Sequence, residues 1–213
     1  MKKISNPKYS KKEEKLNVLT HTFGLIMSIV GLPFLLLKSL QYNGFWQPLS
    51  IVVFGVSLIV LYAASTFYHA SKDSKLRRKL NIFDHAAIYF LIAGTYSPFT
   101  IIILDGSYGW LIFSCTWVFA FVGIVLKFFF TGRYDKLSTA MYILMGWQII
   151  LVIKPLMNAF SINGLKFLFA GGVFYTLGAL LYSSKKITYN HAIFHVFVLL
   201  GSASHYICVY KYI

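Results

Sequence analysis

Seven times along the chain, about twenty consecutive residues pass with hydrocarbon almost unbroken. "VLTHTFGLIMSIVGLPFLLL" (18–37) and "LSIVVFGVSLIVLYAASTFY" (49–68) are the first two such blocks. A helix rises about 1.5 Å per residue, so each block reaches across a bilayer core of roughly 30 Å. The apolar residues come in blocks and not at the spacing of an amphipathic helix or strand. Spans are predicted over 17–37, 48–69, 82–103, 110–130, 137–156, 165–182 and 191–210. The sixth is the shortest and holds several glycines, which membrane helices tolerate. Composition agrees: 58% of residues are hydrophobic and 12% charged, where a soluble domain carries about 25% charge. The expected fold is an all-α integral membrane protein, a seven-transmembrane helix bundle forming one domain over 1–213, with 1–16 as a basic tail.

The formal net charge of +14 invites a nucleic-acid partner, but the charges do not gather into a binding face. With the N-terminus placed in the cytoplasm, sixteen of the twenty Lys and Arg residues fall on that side. Lys72, Lys75, Arg77, Arg78 and Lys79 crowd one loop there, whereas the opposite side receives Lys38, Lys154, Lys166 and Lys211. This asymmetry follows the positive-inside rule and predicts N-terminus inside, C-terminus outside. The basic loops anchor to anionic lipid. Membrane lipids, and no nucleic acid, are the expected partners, and the cell membrane, crossed many times, is the expected location. The stretch after the basic N-terminus is too long for a signal-peptide core and lacks a small-residue cleavage site, so it is expected to be retained. Cys115 and Cys208 fall within spans, where a structural disulfide is not expected.

Six histidines punctuate this hydrocarbon: His21, His69, His85, His191, His195 and His205. Topology places the first five, with Asp84, near the cytoplasmic end, while His205 lies about 15 Å further along its helix than His195. His191 and His195 are four residues apart, which stacks them on one helical face. Ser65 and His69 have the same separation. One helix thus offers two imidazoles to an ion, and a neighbouring helix a third imidazole and a hydroxyl. Three neutral imidazoles with no nearby thiolate suit zinc with an open fourth position. Haem instead wants histidines facing each other across the macrocycle. Asp84 is the carboxylate bordering a span with apolar sequence beyond it; Asp73, Asp105 and Asp135 belong to loops, and Glu13 and Glu14 to the tail. A carboxylate beside such an ion orients a water and accepts its proton. His21 and His85 are expected as interfacial residues bonded to a backbone carbonyl or water, and His205 as a satisfied bundle residue. "GTYSPF" (94–99) predicts a kink in the third span, with Pro98 freeing a carbonyl that Ser97 rebonds.

Four stretches, "EEKLNVLTHTFG" (13–24), "ASTFYH" (64–69), "FDHAAIYFLIAGTYSPF" (83–99) and "HAIFHVFVLLGSASHY" (191–206), resemble the bacterial hemolysin III proteins. Those belong with the progestin and adipoQ receptors, which include the adiponectin receptors. The resemblance covers essentially the whole chain and is carried by S-x-x-x-H, a following Asp and H-x-x-x-H in combination. It implies an intramembrane zinc held by His69, His191 and His195. Asp84 matches the aspartate that contacts the water on that ion, and Ser65 the serine beside it. An acidic residue before the first span corresponds to Glu13 or Glu14, and Asn17 falls in the same motif.

Because eukaryotic relatives are linked to ceramide hydrolysis, the resemblance implies a zinc-dependent hydrolase cleaving a ceramide-like lipid amide at the cytoplasmic leaflet. Two alternatives stand beside it: a pore-forming hemolysin acting on foreign membranes, and a non-enzymatic membrane-homeostasis or receptor-like protein. A secreted pore former stays soluble before insertion, which seven strongly apolar helices do not easily do. Little of the chain lies outside the spans, so signalling through a bound hormone is not expected.

Overall fold

In a computed structural model describing residues 9–184 and 186–213, apart from the side chains of 135 and 136, all seven blocks are helical. Lys2, Lys3 and Lys8 of the basic tail and Lys185 lie outside the described residues. The helices are α1 (Lys11–Ser39), α2 (Trp46–Ala70), α3 (Ser74–Pro98, continued by a π-helical turn Phe99–Ile103) and α4 (Gly106–Phe130). Then come α5 (Asp135–Trp147), a 3-10 segment (Gln148–Val152) and α6 (Ile153–Ala159), which together make the fifth span, followed by α7 (Ile162–Ser183) and α8 (Asn190–Tyr212).

Helix α1 starts six residues before the predicted span. The cause is local: Ser10 caps it, its hydroxyl accepting from the Glu13 amide at 3.2 Å. Ser10 and Glu13 have capping-box spacing, and acidic residues in a first turn favour the helix dipole. The consequence is that Glu13 and Glu14 belong to the helix and not to a tail. Helix α3 likewise begins early, at Ser74, where the Asp73 carboxylate accepts from the Leu76 amide at 2.7 Å.

The bundle is polar inward and apolar outward at its first helix. Glu13, Asn17, His21, Gly24, Ser28, Gly31 and Leu35 form the buried stripe of α1, while Leu19, Phe23, Ile26, Val30 and Phe34 are exposed. Without a hydrophobic drive between helices in lipid, small residues bring the rods close. At Gly24 an added methyl would overlap the Tyr62 ring of α2, and at Gly31 the Tyr206 ring of α8. Helices α1, α2, α3, α7 and α8 pack extensively with their neighbours, whereas α5 touches α3 and α7 lightly. A cavity occupies the resulting space.

Pro98 does not break α3. The helix widens into the π turn instead, and the hydroxyls of Ser97 and Thr100 donate to the carbonyls of Ala93 and Tyr96, each at 2.9 Å. Proline removes the bond to the carbonyl four residues back, that of Gly94, so Ser97 does not restore the carbonyl that Pro98 freed. The fifth span breaks at Gln148–Val152, just before Pro155, which removes the helical bond to the Leu151 carbonyl. There the Tyr96 hydroxyl donates to the Gly146 carbonyl at 2.8 Å and accepts from the Ile149 amide at 3.0 Å, bridging the 3-10 segment. Cys115 and Cys208 are both free.

Candidate metal centre

Three ring nitrogens converge at the end of the bundle where α1 and α8 begin and α2 ends. His191 Nε2 lies 3.0 Å from His69 Nε2 and 3.1 Å from His195 Nε2. All three residues are buried, and their ligand atoms lie within 4.8 Å of one another. The fourfold spacing on α8 put two rings on one face, and the close α1–α2 and α1–α8 packing brings the third to them.

The opposite ring nitrogens decide what these atoms can do. His69 Nδ1 is 2.7 Å from Glu14 Oε2, so its proton is donated to the carboxylate and its Nε2 keeps a lone pair. The amide nitrogen of Asn17 lies 3.4 Å from the same ring nitrogen. His195 Nδ1 is 3.3 Å from the Asn17 carbonyl and 3.3 Å from the Thr20 hydroxyl. Donating there leaves its Nε2 as an acceptor too. Carboxylate and carbonyl partners of this kind fix the tautomer of a metal-bound histidine. Lone pairs aimed at one point repel unless a cation lies between them. Zinc–nitrogen bonds of about 2.0 Å would hold ligand nitrogens roughly 3.3 Å apart in a tetrahedron, close to the separations here. The donor set therefore fits a zinc ion.

A wider shell holds the donors in place. Arg77, from the first turn of α3, donates to the other oxygen of Glu14 and to the carbonyls of Ser71, at 3.2 Å, and His69, at 3.4 Å. Its guanidinium also lies over the Tyr68 ring, 4.7 Å from the centroid. Helix α8 has no side-chain cap of its own, because Tyr189 precedes it with a φ of 57°. Glu13 supplies the missing acceptor from α1, taking the His191 amide at 3.3 Å. The sequence left open which of Glu13 and Glu14 corresponds to the motif's acidic residue; both reach the cluster, Glu14 at the His69 ring and Glu13 at the His191 backbone amide.

Ser65 and Asp84 line a cavity of about 160 Å³ with His191 and His195. The Ser65 hydroxyl is buried and has no hydrogen-bond partner among the described residues. Asp84 is half-buried, in the lower part of α3. It acts electrostatically on Tyr9, whose phenol is pushed above its ordinary range chiefly by burial, then by the neighbouring Tyr182 and Tyr68, with Asp84 adding to the effect. The same cavity continues between Ile88, Leu91, Phe99, Leu168 and Val198 to His205.

Two histidines depart from expectation. His21 is not an interfacial residue: it is buried, its ring stacks on His195 with centroids 3.5 Å apart, and neither ring nitrogen has a partner among the described residues. Its spacing held the missed signal, since Glu13, Asn17 and His21 follow one another every four residues on the buried face. His205 is half satisfied, its Nε2 bonding the Leu168 carbonyl at 3.0 Å while Nδ1 has no partner among the described residues. His85 lines the cavity, and its carbonyl accepts from the Tyr142 hydroxyl at 3.1 Å.

Comparison with known proteins accords with this architecture. Residues 9–206 match the family described as "Haemolysin-III related". The chain is 44% identical to "Hemolysin-3 homolog" of Bacillus subtilis (strain 168), over 94% of both chains. It is 43% identical to "Hemolysin-3" of Bacillus cereus, covering 95% of this chain and 92% of that one. Human "Monocyte to macrophage differentiation factor" is 31% identical over 94% of this chain and 84% of its own. No solved structure matches. A seven-helix bundle matched from its first described residue almost to its last, at this identity, allows one assignment: the chain belongs to the hemolysin III family, within the progestin and adipoQ receptor superfamily.

Proposed function

We propose that this multi-pass membrane protein is a zinc-dependent hydrolase that cleaves a ceramide-like lipid amide at the cytoplasmic leaflet of the cell membrane. One observation carries the proposal: two of the three convergent imidazoles, His191 and His195, line a mostly apolar cavity together with the Asp84 carboxylate and a Ser65 hydroxyl that has no hydrogen-bond partner among the described residues. A pocket that is mostly apolar, with a few convergent polar groups, is the usual form of a site for an apolar ligand.

Zinc bound by His69, His191 and His195 would supply a Lewis acid and bring the pKa of a water to about 7. Asp84 takes the proton of the attacking water and returns it to the amide nitrogen as the C–N bond breaks and a new C–O bond forms. Protons therefore balance, and the products are a fatty acid and an amine. Ser65 donates its hydroxyl to the carbonyl oxygen as charge builds there. The walls from Ile88 to Val198 hold the acyl chain and keep bulk water from the carbonyl.

The test is metal analysis and turnover on the detergent-purified protein with N-acyl sphingoid and other N-acyl lipid substrates. Wild type is expected to carry one zinc and release fatty acid, and His195→Ala to lose both while remaining in the membrane. Protein that holds stoichiometric zinc yet leaves every lipid amide intact overturns the hydrolase. The name borne by the two Bacillus relatives favours a second function, a cytolytic pore. Dye release from liposomes that survives loss of all three histidines would select it.

A further inference from the structure

The long cavity is polar at two depths. At the metal end Ser65 and Asp84 line it with His191 and His195, and at the other end it reaches Thr95 of α3 and His205 of α8. Two helices agree on the separation. Thr95 follows Asp84 by eleven residues and His205 follows His195 by ten, so each lies about 15 Å further from the metal end. Phe99 links the two: its ring lies 6.4 Å from that of His205, and Thr95 stands one turn before it on the same face of α3.

Both residues are buried, and each carries a polar atom that the fold does not use. The hydroxyls of Ser97, Thr100, Thr116 and Thr176 each donate to the carbonyl four residues back, a common resort of hydroxyls inside helices. The Thr95 hydroxyl has no partner among the described residues. His205 says more. Its Nε2 lies 3.0 Å from the Leu168 carbonyl, and a carbonyl only accepts, so the ring proton is on Nε2. In an uncharged ring, the form that hydrocarbon favours, Nδ1 is then an acceptor, and it too has no partner among the described residues. Other polar walls at this depth are engaged: the Tyr96 phenol with the Gly146 carbonyl, the Tyr175 phenol with Ser202, and the Thr176 hydroxyl with the Trp147 indole.

The two atoms ask for one kind of partner. The His205 acceptor needs a donor, which a keto oxygen, an ether or a methylene cannot be, and the Thr95 hydroxyl both donates and accepts. A hydroxyl serves both, donating to His205 and accepting from Thr95. We propose that Thr95 and His205 form a second polar station that receives a hydroxyl on the ligand's acyl chain, so that the preferred ligand is a long-chain hydroxyacyl lipid with its hydroxyl about 15 Å from the carbonyl. Along an extended chain with bonds of about 1.5 Å, that is about twelve carbons. A site that bonds a ligand hydroxyl rejects the analogue lacking it, because its own buried groups are then left unpaired. The station rests on the proposed reading that the carbonyl lies at the metal end and the acyl chain in the cavity, but not on hydrolysis.

The experiment measures displacement of a fluorescent fatty acid from the full-length protein in lipid nanodiscs. Three competitors are used: a fatty acid hydroxylated about twelve carbons from its carboxyl, its isomer hydroxylated beside the carboxyl, and the unsubstituted acid. Wild type is expected to bind the first at least about tenfold more tightly than the other two. Thr95→Val, which keeps the side chain's shape, should cut that preference below about threefold. His205→Phe, which keeps a ring beside Phe99 and Tyr175, should do the same. A variant that has merely lost its packing weakens all three acids together and leaves their ratio alone. Thr66→Val is the control: its hydroxyl is also buried and without a partner among the described residues, but it is not part of the cavity wall, so the preference should stay. Three acids bound alike by wild type, or a preference that survives both substitutions, overturn the station and leave its two atoms to buried water. Selective binding by a protein that cleaves no lipid amide keeps the station and removes the hydrolase.

Discussion

Glu14 is not one of the three converging donors, yet its contact with His69 predicts a measurable share in the affinity for a metal there. Its carboxylate meets His69 Nδ1 at 2.7 Å, the length of a charge-assisted bond, and this contact leaves Nε2 bearing the lone pair that faces the cluster. Loss of such an outer partner costs 10- to 100-fold in metal affinity, or about 1.4 to 2.7 kcal/mol. Glu14→Gln keeps a carbonyl acceptor and loses the charge, so it belongs near the lower figure. Glu14→Leu leaves the buried His69 N–H only the Asn17 side-chain amide, 3.4 Å away, in place of a carboxylate, and belongs near the upper. Arg77 adds little to either, because its side chain is 24% exposed and regains water when its partner is lost. The assay is competition for zinc with a chelator of known affinity. Thr20→Val is the control: it removes a hydroxyl 3.3 Å from His195 Nδ1 but spares the Asn17 carbonyl, so a change below about threefold is expected. Should Glu14→Leu bind zinc as tightly as wild type while His69→Ala binds none, the carboxylate does not set the tautomer and the reasoning fails.

Zinc should also stabilise the fold by linkage: at a thousand times its dissociation constant the gain is about 4 kcal/mol, read as a higher unfolding midpoint in detergent. His191→Ala should show no such rise on adding zinc. Two turns beyond His195 on α8, the Ser202 hydroxyl bonds both the Tyr62 phenol at 2.8 Å and the Tyr175 phenol at 2.9 Å. Ser202→Ala is expected to cost about 1 to 3 kcal/mol, checked by thermal unfolding, with zinc stoichiometry unchanged.

The spans were legible because a bilayer sets one length for every crossing, and the apolar blocks keep to it. What lay outside that rule was not. The early start of α1 depends on Ser10 and Glu13, two residues of a tail that reads as merely basic. The 3-10 segment at Gln148–Val152 is held by Tyr96 of another helix, a contact fifty residues away that no local pattern announces. The convergence of His69, His191 and His195 was legible from their four-residue spacing and topology. Of its supporting groups, the acidic pair and Asn17 were pointed to only by the family resemblance and Arg77 by nothing, since these groups reach the histidines through contacts between helices. His21 shows the cost of judging a residue by its neighbours in sequence: a histidine near a span end looked interfacial, and the stripe it shares with Glu13 and Asn17 went unread.

The triad draws on opposite ends of the polypeptide. His69 and its support from α1 and α3 are synthesised early, whereas His191 and His195 lie in the last helix, α8. The ribosome must therefore make α8 before a second of the three nitrogens exists, and until then the polar stripe of α1 has no α8 to cover it. A nascent chain stopped before Asn190 has only one of the three nitrogens, so an ion held by all three would have to wait for α8.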